Sequence, residues 1–236
     1  MKLWLYYLFT FFVIILTRYF LVAGGTYWLF YSSDKSFTKE SLNIKYPIQK
    51  KLIKEDIILS VVATAATAIC GALVMTIYDS GATRLYSSIG DYGTTYLIIS
   101  FFGVILLQDT SYYFLHRGFH HPLLYNWLHR GHHRSKNPTP WTSFALDFPE
   151  ALIQGLFLVT VVFIIPLHFS VLALWVITMT IWSLVNHLGF ELFPKFPNHW
   201  LGKWFISSNH HSLHHRSYTK HYGLYFTFWD RLLGTN

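Results

Sequence analysis

Four stretches of this chain are too apolar and too long for a soluble domain, and they dictate what it can fold into. Leu3 to about Phe30, Ile57 to Ile77 and Thr94 to Leu115 each run about twenty residues or more, the length that a hydrocarbon core of ~30 Å requires. Ala151 to Leu188 is almost wholly apolar and is broken by Pro166, which predicts a hairpin of two helices, the first of them short for a full crossing. Composition agrees: 53% of the residues are apolar, 19% aromatic and 12% charged, against roughly 25% charged in a soluble domain. The expectation is an all-α integral membrane helical bundle, with four core transmembrane helices in two hairpins preceded by one N-terminal helix.

Basic residues orient the spans. Segments 31–56, 116–150 and 189–236 hold fifteen of the eighteen Lys and Arg, whereas the N-terminus and the 78–93 loop carry one each, Lys2 and Arg84. The positive-inside rule puts the three rich segments in the cytoplasm. Lys35, Lys39, Lys45, Lys50, Lys51 and Lys54, beside anionic headgroups, account for much of the net charge of +7. Nucleic acid is not an expected partner, because these lysines occupy a short loop between spans. Cys70 is the only cysteine, which excludes a disulfide framework and a thiolate metal site.

Lys2 with the apolar run to Leu16 and the small residues Ala23-Gly24-Gly25 also fits a cleaved leader, although Arg18, Tyr19 and Phe20 interrupt the approach to the cleavage site. No repeat divides the chain, so 1–236 reads as one membrane domain. Residues 1–56 form its N-terminal helix and basic linker, and 57–236 its core.

Histidines supply the chemistry. His116 and His120, then His129 with His132-His133, and finally His211 with His214-His215 stand three or four residues apart, so each cluster aims imidazoles from one helix face. Imidazole suits iron, copper, nickel and zinc. Eight such ligands exceed what one ion of four- to six-fold coordination uses, which favours two ions in a shared site. Adjacent histidines such as His132 and His133 either face different ions or brace each other. All three clusters fall on the cytoplasmic side, as a helical, histidine-rich metal-binding cap. Asp109 lies seven residues before His116 on the same face. A carboxylate that deep needs a partner, and holding a ligand imidazole by its free N–H is the expected role, with direct metal contact or a structural hydrogen bond within the bundle as alternatives.

The HxxxH, HxxHH and HxxHH series, the lead-in from Asp109 to His116-Arg117, and the terminal Trp229-Asp230-Arg231-Leu232-Leu233-Gly234-Thr235 resemble the fatty acid hydroxylase and sterol desaturase superfamily of integral-membrane oxygenases. The resemblance covers roughly residues 95–236. It implies a catalytic core with histidine segments 116–133 and 187–215 and a non-haem di-iron centre that activates O2 to hydroxylate or desaturate a lipid C–H bond. The implied ligands are His116, His120, His129, His132, His133, His211, His214 and His215. His187, in Asn186-His187-Leu188-Gly189, is the ninth.

Some members carry a further histidine where this chain has Glu191, which leaves Glu191 as an oxygen ligand or a solvated acid. His210 is a weaker candidate, and His121, His168, His199 and His221 have no partner set. Some relatives also fuse a cytochrome b5-like domain. None is expected here, so electrons come from a separate protein of cytochrome b5 or ferredoxin type, fed by NAD(P)H. Inert C–H bonds are beyond side-chain acid–base chemistry, so the metals do the hard step while the protein supplies ligands, a dry channel and orientation. Phosphate loops, GxSxG elbows and paired cysteines are missing from the sequence.

A metal-binding or metal-transporting protein is the alternative, and it requires ligands along the spans. The substrate stays open among sterol, fatty acyl and other lipids, as does hydroxylation against desaturation. The implied compartment is the endoplasmic reticulum in a eukaryote or the inner membrane in a bacterium.

Overall fold

A computed structural model describes residues 2–31, 48–193 and 195–236. Lys35, Lys39, Lys45 and Pro47 of the basic linker lie outside the described residues. Five apolar helices make the bundle: α1 (Lys2–Tyr31), α2 (Lys50–Asp79), α3 (Gly93–Phe119), then, after the short α4 (Pro122–Leu128), α5 (Phe148–Ile164) and α6 (Phe169–Asn186). Helices α7 (Ser208–Ser217) and α8 (Phe228–Leu232) follow. By length and apolarity α1, α2, α3 and α6 are able to cross a membrane. The 17 residues of α5 reach about 25 Å, so the segment expected to be short is short. Pro166 explains the break: Ile165 adopts an extended conformation at φ −107° and ψ 125°, as the residue before proline must.

The two hairpin tips are tied together. Leu85–Tyr86 and Leu167–His168 pair as two-residue parallel strands, β1 and β2, with Leu85 opposite Leu167. The Arg84 amide also donates to the Val162 carbonyl at 2.8 Å. This clip puts both turns at one end of the bundle and the start of α2, the end of α3, the start of α5 and the end of α6 at the other.

Small residues let the helices approach. Ala63, Ala66, Ala68 and Ala72 of α2 are buried. A Cβ on Gly71 would come within 3.0 Å of the Phe11 ring, and one on Gly155 within 2.6 Å of Cys70 Sγ. Close backbone approach through small side chains is how helices associate where lipid removes the hydrophobic drive. The outer faces are apolar instead: Phe9, Val13 and Leu21 of α1, Ile98, Ile99 and Phe102 of α3, and Leu174, Ile177 and Ile181 of α6 are exposed, as lipid-facing surfaces should be.

The cap over the opposite end is built on buried polar bonds. Asp230 accepts hydrogen bonds from the Tyr222 and Gly223 amides at 2.8 and 3.0 Å and from the Thr235 hydroxyl at 2.7 Å. Asp56 of α2 accepts from the Ser135 and Thr142 hydroxyls at 2.9 and 2.7 Å, which fastens the loop after α4 to the bundle.

Candidate metal centre

Each histidine motif is delivered by local geometry. His116 lies in the last turn of α3 and His120 caps it one turn later. His129 caps α4, and His132 and His133 open a tight 3-10 turn, His132–Arg134. His187 caps α6, and α7 carries His211, His214 and His215. The structure gathers all nine into two groups, each with its ligand atoms within 4.8 Å of one another: His116, His120, His129, His133 and His214 in one, and His132, His187, His211 and His215 in the other. Adjacent histidines part company, since His132 and His133 fall in different groups, as do His214 and His215. Each member of these pairs points into a different group.

The ring nitrogens test whether a cation fits. The His132 Nδ1–H donates to the Ala145 carbonyl at 3.0 Å, and the His187 Nδ1–H donates to the Ser183 carbonyl at 2.7 Å. Both Nε2 atoms are then bare acceptors in the neutral rings, yet they face each other at 3.4 Å. Likewise His116 and His214 spend Nδ1–H on the Tyr222 and Lys220 carbonyls at 2.9 and 2.6 Å. The His214 Nε2 lies 3.1 Å from the Nε2 atoms of both His120 and His133.

Protonation does not relieve these contacts. Burial pushes His120 and His132 down to about 4 and His187 to about 3. Burial first, then the neighbouring imidazoles, pushes His129, His133, His211, His214 and His215 well below the usual value. Facing lone pairs in neutral rings call for a cation between them. Two nitrogens bound at right angles to one ion at about 2.0–2.1 Å are about 3 Å apart, which matches the 3.0 Å between His116 and His129 Nε2 and between His187 and His211 Nε2.

Glu150 was not singled out from the sequence. It is fully buried at the start of α5, with Oε2 2.9 Å from His129 Nδ1. The contact is close but poorly aligned as a hydrogen bond, and neither atom has another partner among the described residues; we treat it as a carboxylate set beside a ligand imidazole. An acid opening an apolar run was the available signal.

Asp109 takes a different place from the expected one. Its Oδ1 accepts from the Tyr225 and Phe226 amides at 2.7 and 3.1 Å. Among the described residues it therefore holds backbone, the structural alternative, and no imidazole of either group. Helical spacing put it on the face of His116 but could not show the C-terminal segment that returns to meet it.

The remaining histidines do other work. Glu191 Oε1 accepts from the Asn209 amide at the start of α7, 2.8 Å away, and the Ser207 amide donates to His210 Nδ1 at the same helix start. His121 and His168 cap α4 and α6, and His199 accepts from the Leu201 amide. His221 is buried with its Nδ1 lacking a partner among the described residues, and its ring packs on that of His210.

A cavity of about 140 Å³ runs from the four-histidine group into the bundle. His132, His187 and His211 form its floor, and its walls include Phe157, Leu158, Trp175, Val176, Met179 and Leu224.

Fold and site together define a membrane-helix bundle capped by two histidine groups, each able to hold a metal ion. The fatty acid hydroxylase family model matches residues 101–235. Over 220 residues the chain is 31% identical to the lathosterol oxidase of Rattus norvegicus, covering 92% of this chain and 70% of that protein. It is 31% identical over 156 residues to a delta(7)-sterol 5(6)-desaturase of Gibberella zeae, 66% of this chain and 47% of the relative. It is also 33% identical over 143 residues to the methylsterol monooxygenase 1 of Danio rerio, 60% of this chain and 48% of the relative. The chain thus spans from about half to seven-tenths of the length of these relatives. No solved structure matches it. The chain belongs to the fatty acid hydroxylase family.

Proposed function

We propose that the chain is an O2-dependent membrane oxidoreductase that hydroxylates or desaturates a lipid of the sterol class, using two iron ions held by the nine histidines and electrons from a separate protein. The observation that carries this reading is the pair of imidazole groups in which committed Nδ1 protons leave Nε2 lone pairs facing each other, with a largely apolar cavity opening onto one of them. The three relatives named above are a sterol desaturase, a sterol oxidase and a methylsterol monooxygenase, which favours sterols over the other lipids.

His116, His120, His129, His133 and His214 would hold one ion, and His132, His187, His211 and His215 the other. Bound iron would supply O2 activation and the oxidising power for C–H cleavage that no side chain here has. The chain's own groups do the rest. Backbone carbonyls of Tyr222, Lys220, Ala145 and Ser183 fix the tautomer and aim of four imidazoles. The apolar walls exclude water and present the lipid from within the bilayer. The basic cap would face the cytoplasm, where a soluble or membrane-tethered electron donor reaches it.

The transporter alternative requires ligands along the spans. Among the described residues, both groups of three or more His, Cys, Asp or Glu lie at the capped end.

The test is untargeted lipid mass spectrometry of cells expressing the wild type or His214→Ala, supplied with iron and a candidate donor. A lipid that gains one oxygen or loses two hydrogens only with the wild type supports the proposal and names the substrate. Equal lipid profiles from two proteins present in the membrane at equal level, with wild-type protein that purifies free of iron, would sink it.

A further inference from the structure

The one charge near the middle of α1 has no role in the metal centre. Arg18 donates from Nη1 to the Thr180 hydroxyl of α6 at 3.0 Å and lies over the Phe144 ring, 5.2 Å from its centroid. Its Nε is buried, and among the described residues that nitrogen has no hydrogen-bond partner and no carboxylate pairs with the side chain. Arg18 nevertheless lines the same cavity as His132, His187 and His211. Three other polar side chains on that wall, Gln108, Gln154 and Ser183, are spent within the protein. Gln108 accepts from Trp175 Nε1 and the Tyr225 hydroxyl, Gln154 donates to Glu150, and Ser183 donates to the Ser143 carbonyl.

A guanidinium only partly hydrogen-bonded, in a largely apolar chamber, is costly. It also has the donors to bind an oxygen on an incoming molecule. At the other end Asn186 Oδ1, of another lining residue, lacks a partner among the described residues. Thr180 and His187 lie seven residues apart on one helix, about 10 Å along its axis.

We infer that Arg18 is the residue that selects the lipid, binding an oxygen acceptor, a hydroxyl or a carboxylate, on an otherwise apolar substrate and setting the oxidised carbon within about 10 Å of that oxygen. This rests on the lipid-oxidation reading and adds to it the substrate feature that is recognised. It also gives the N-terminal helix a part in the active chamber.

The test is equilibrium binding to the full chain in lipid nanodiscs with two pairs of tritiated probes: a Δ7-sterol with its 3-deoxy analogue, and octadecanoic acid with octadecane. In one pair the wild type should prefer the oxygenated member at least tenfold, and Arg18→Leu should abolish that preference while binding the deoxygenated member as before. The pair that responds tells hydroxyl from carboxylate. Equal weakening of both members, the mark of a purely structural arginine, overturns the inference, and so does an Arg18→Leu protein with the wild-type preference or a wild type with none. If Arg18→Leu does not fold, Arg18→Gln should cut the preference at least threefold, and an undiminished preference overturns the inference equally. Iron content and product mass, on which the oxidation reading depends, play no part in this measurement, so the two can fail separately.

Discussion

The two histidine groups share a chemistry and differ in their surroundings. The five-histidine group is backed by a carboxylate, Glu150 against His129, and is ringed by Tyr125, Tyr218 and Tyr222. The four-histidine group has no carboxylate among its described contacts and instead forms the floor of the apolar cavity. An ion with five nitrogen donors has fewer positions left for other ligands than one with four. On the proposed reading, the open, lipid-facing position would belong to an ion held by the four-histidine group, as catalytic metal sites generally keep a position free while structural ones close.

The harshest way to probe that contrast is to remove a ligand. His214 Nε2 lies 3.1 Å from two partners in the five-histidine group, so His214→Ala should lower iron to about one ion per chain and product formation by at least about 10²-fold, consistent with the 10–100-fold losses seen for mere supporting residues. Iron analysis on purified protein checks it; a variant that keeps both ions leaves His214 outside the centre. The matching change, His211→Ala, should remove the other ion instead. If either variant loses both ions together, the groups are one cooperative site and the contrast fails.

Glu150→Gln is gentler and confined to one side. It keeps volume but replaces the acid beside His129 Nδ1 with an amide, and should weaken one ion by roughly 10–100-fold while the second stays bound. A chelator titration with two resolved phases reads this out. On the cavity side, Leu158→Trp narrows the chamber without touching a ligand, so KM for the lipid should rise about tenfold, the ~1.4 kcal/mol that one poorly accommodated group costs, at unchanged iron content. Loss of iron from this variant would show that cavity and ligands are not separable.

Gly131 sits where the groups diverge, just before His132 and His133. A Cβ there would lie 2.5 Å from Asp147 Oδ1, and the Gly131 amide donates to Asp147 Oδ2 at 2.7 Å. Gly131→Ala should therefore shift the turn and cost about 1–3 kcal/mol, seen as a lower melting temperature and weaker binding of both ions. A defect in one ion alone would mean that the turn serves only that group.

Much of this was readable from local spacing. The apolar runs gave the spans because length and hydropathy are local properties, and three- and four-residue intervals gave the histidines because one helix turn suffices to align them. Partnerships across the chain were not readable. Asp109 meets Tyr225 from 116 positions away and His187 meets His132 from 55; no spacing rule reaches that far. The division of His132 from His133 and His214 from His215 depends on how α3, α4, α6 and α7 converge. Glu150 was hidden by an apolar run read as beginning at Ala151, and Arg18 by being weighed only as an interruption before a cleavage site.

Acid should act on both groups alike, and it is the mildest test. Burial holds His132 at about 4 and His187 at about 3 in the fold, against about 6.5 when unfolded. As pH falls below about 6.5 the unfolded chain takes up protons that the folded chain refuses, so stability is lost progressively down to the folded values and is fully present above 6.5. Metal-stripped protein in nanodiscs should therefore melt at least about 3 °C lower at pH 5 than at pH 7.5. The drop should be smaller in His187→Gln, which removes one of the refusing groups. An unchanged drop in that variant would mean that His187 titrates normally in the folded chain and that the four-histidine group is wetter than its burial indicates, which would also weaken the case for a dry, lipid-facing ion.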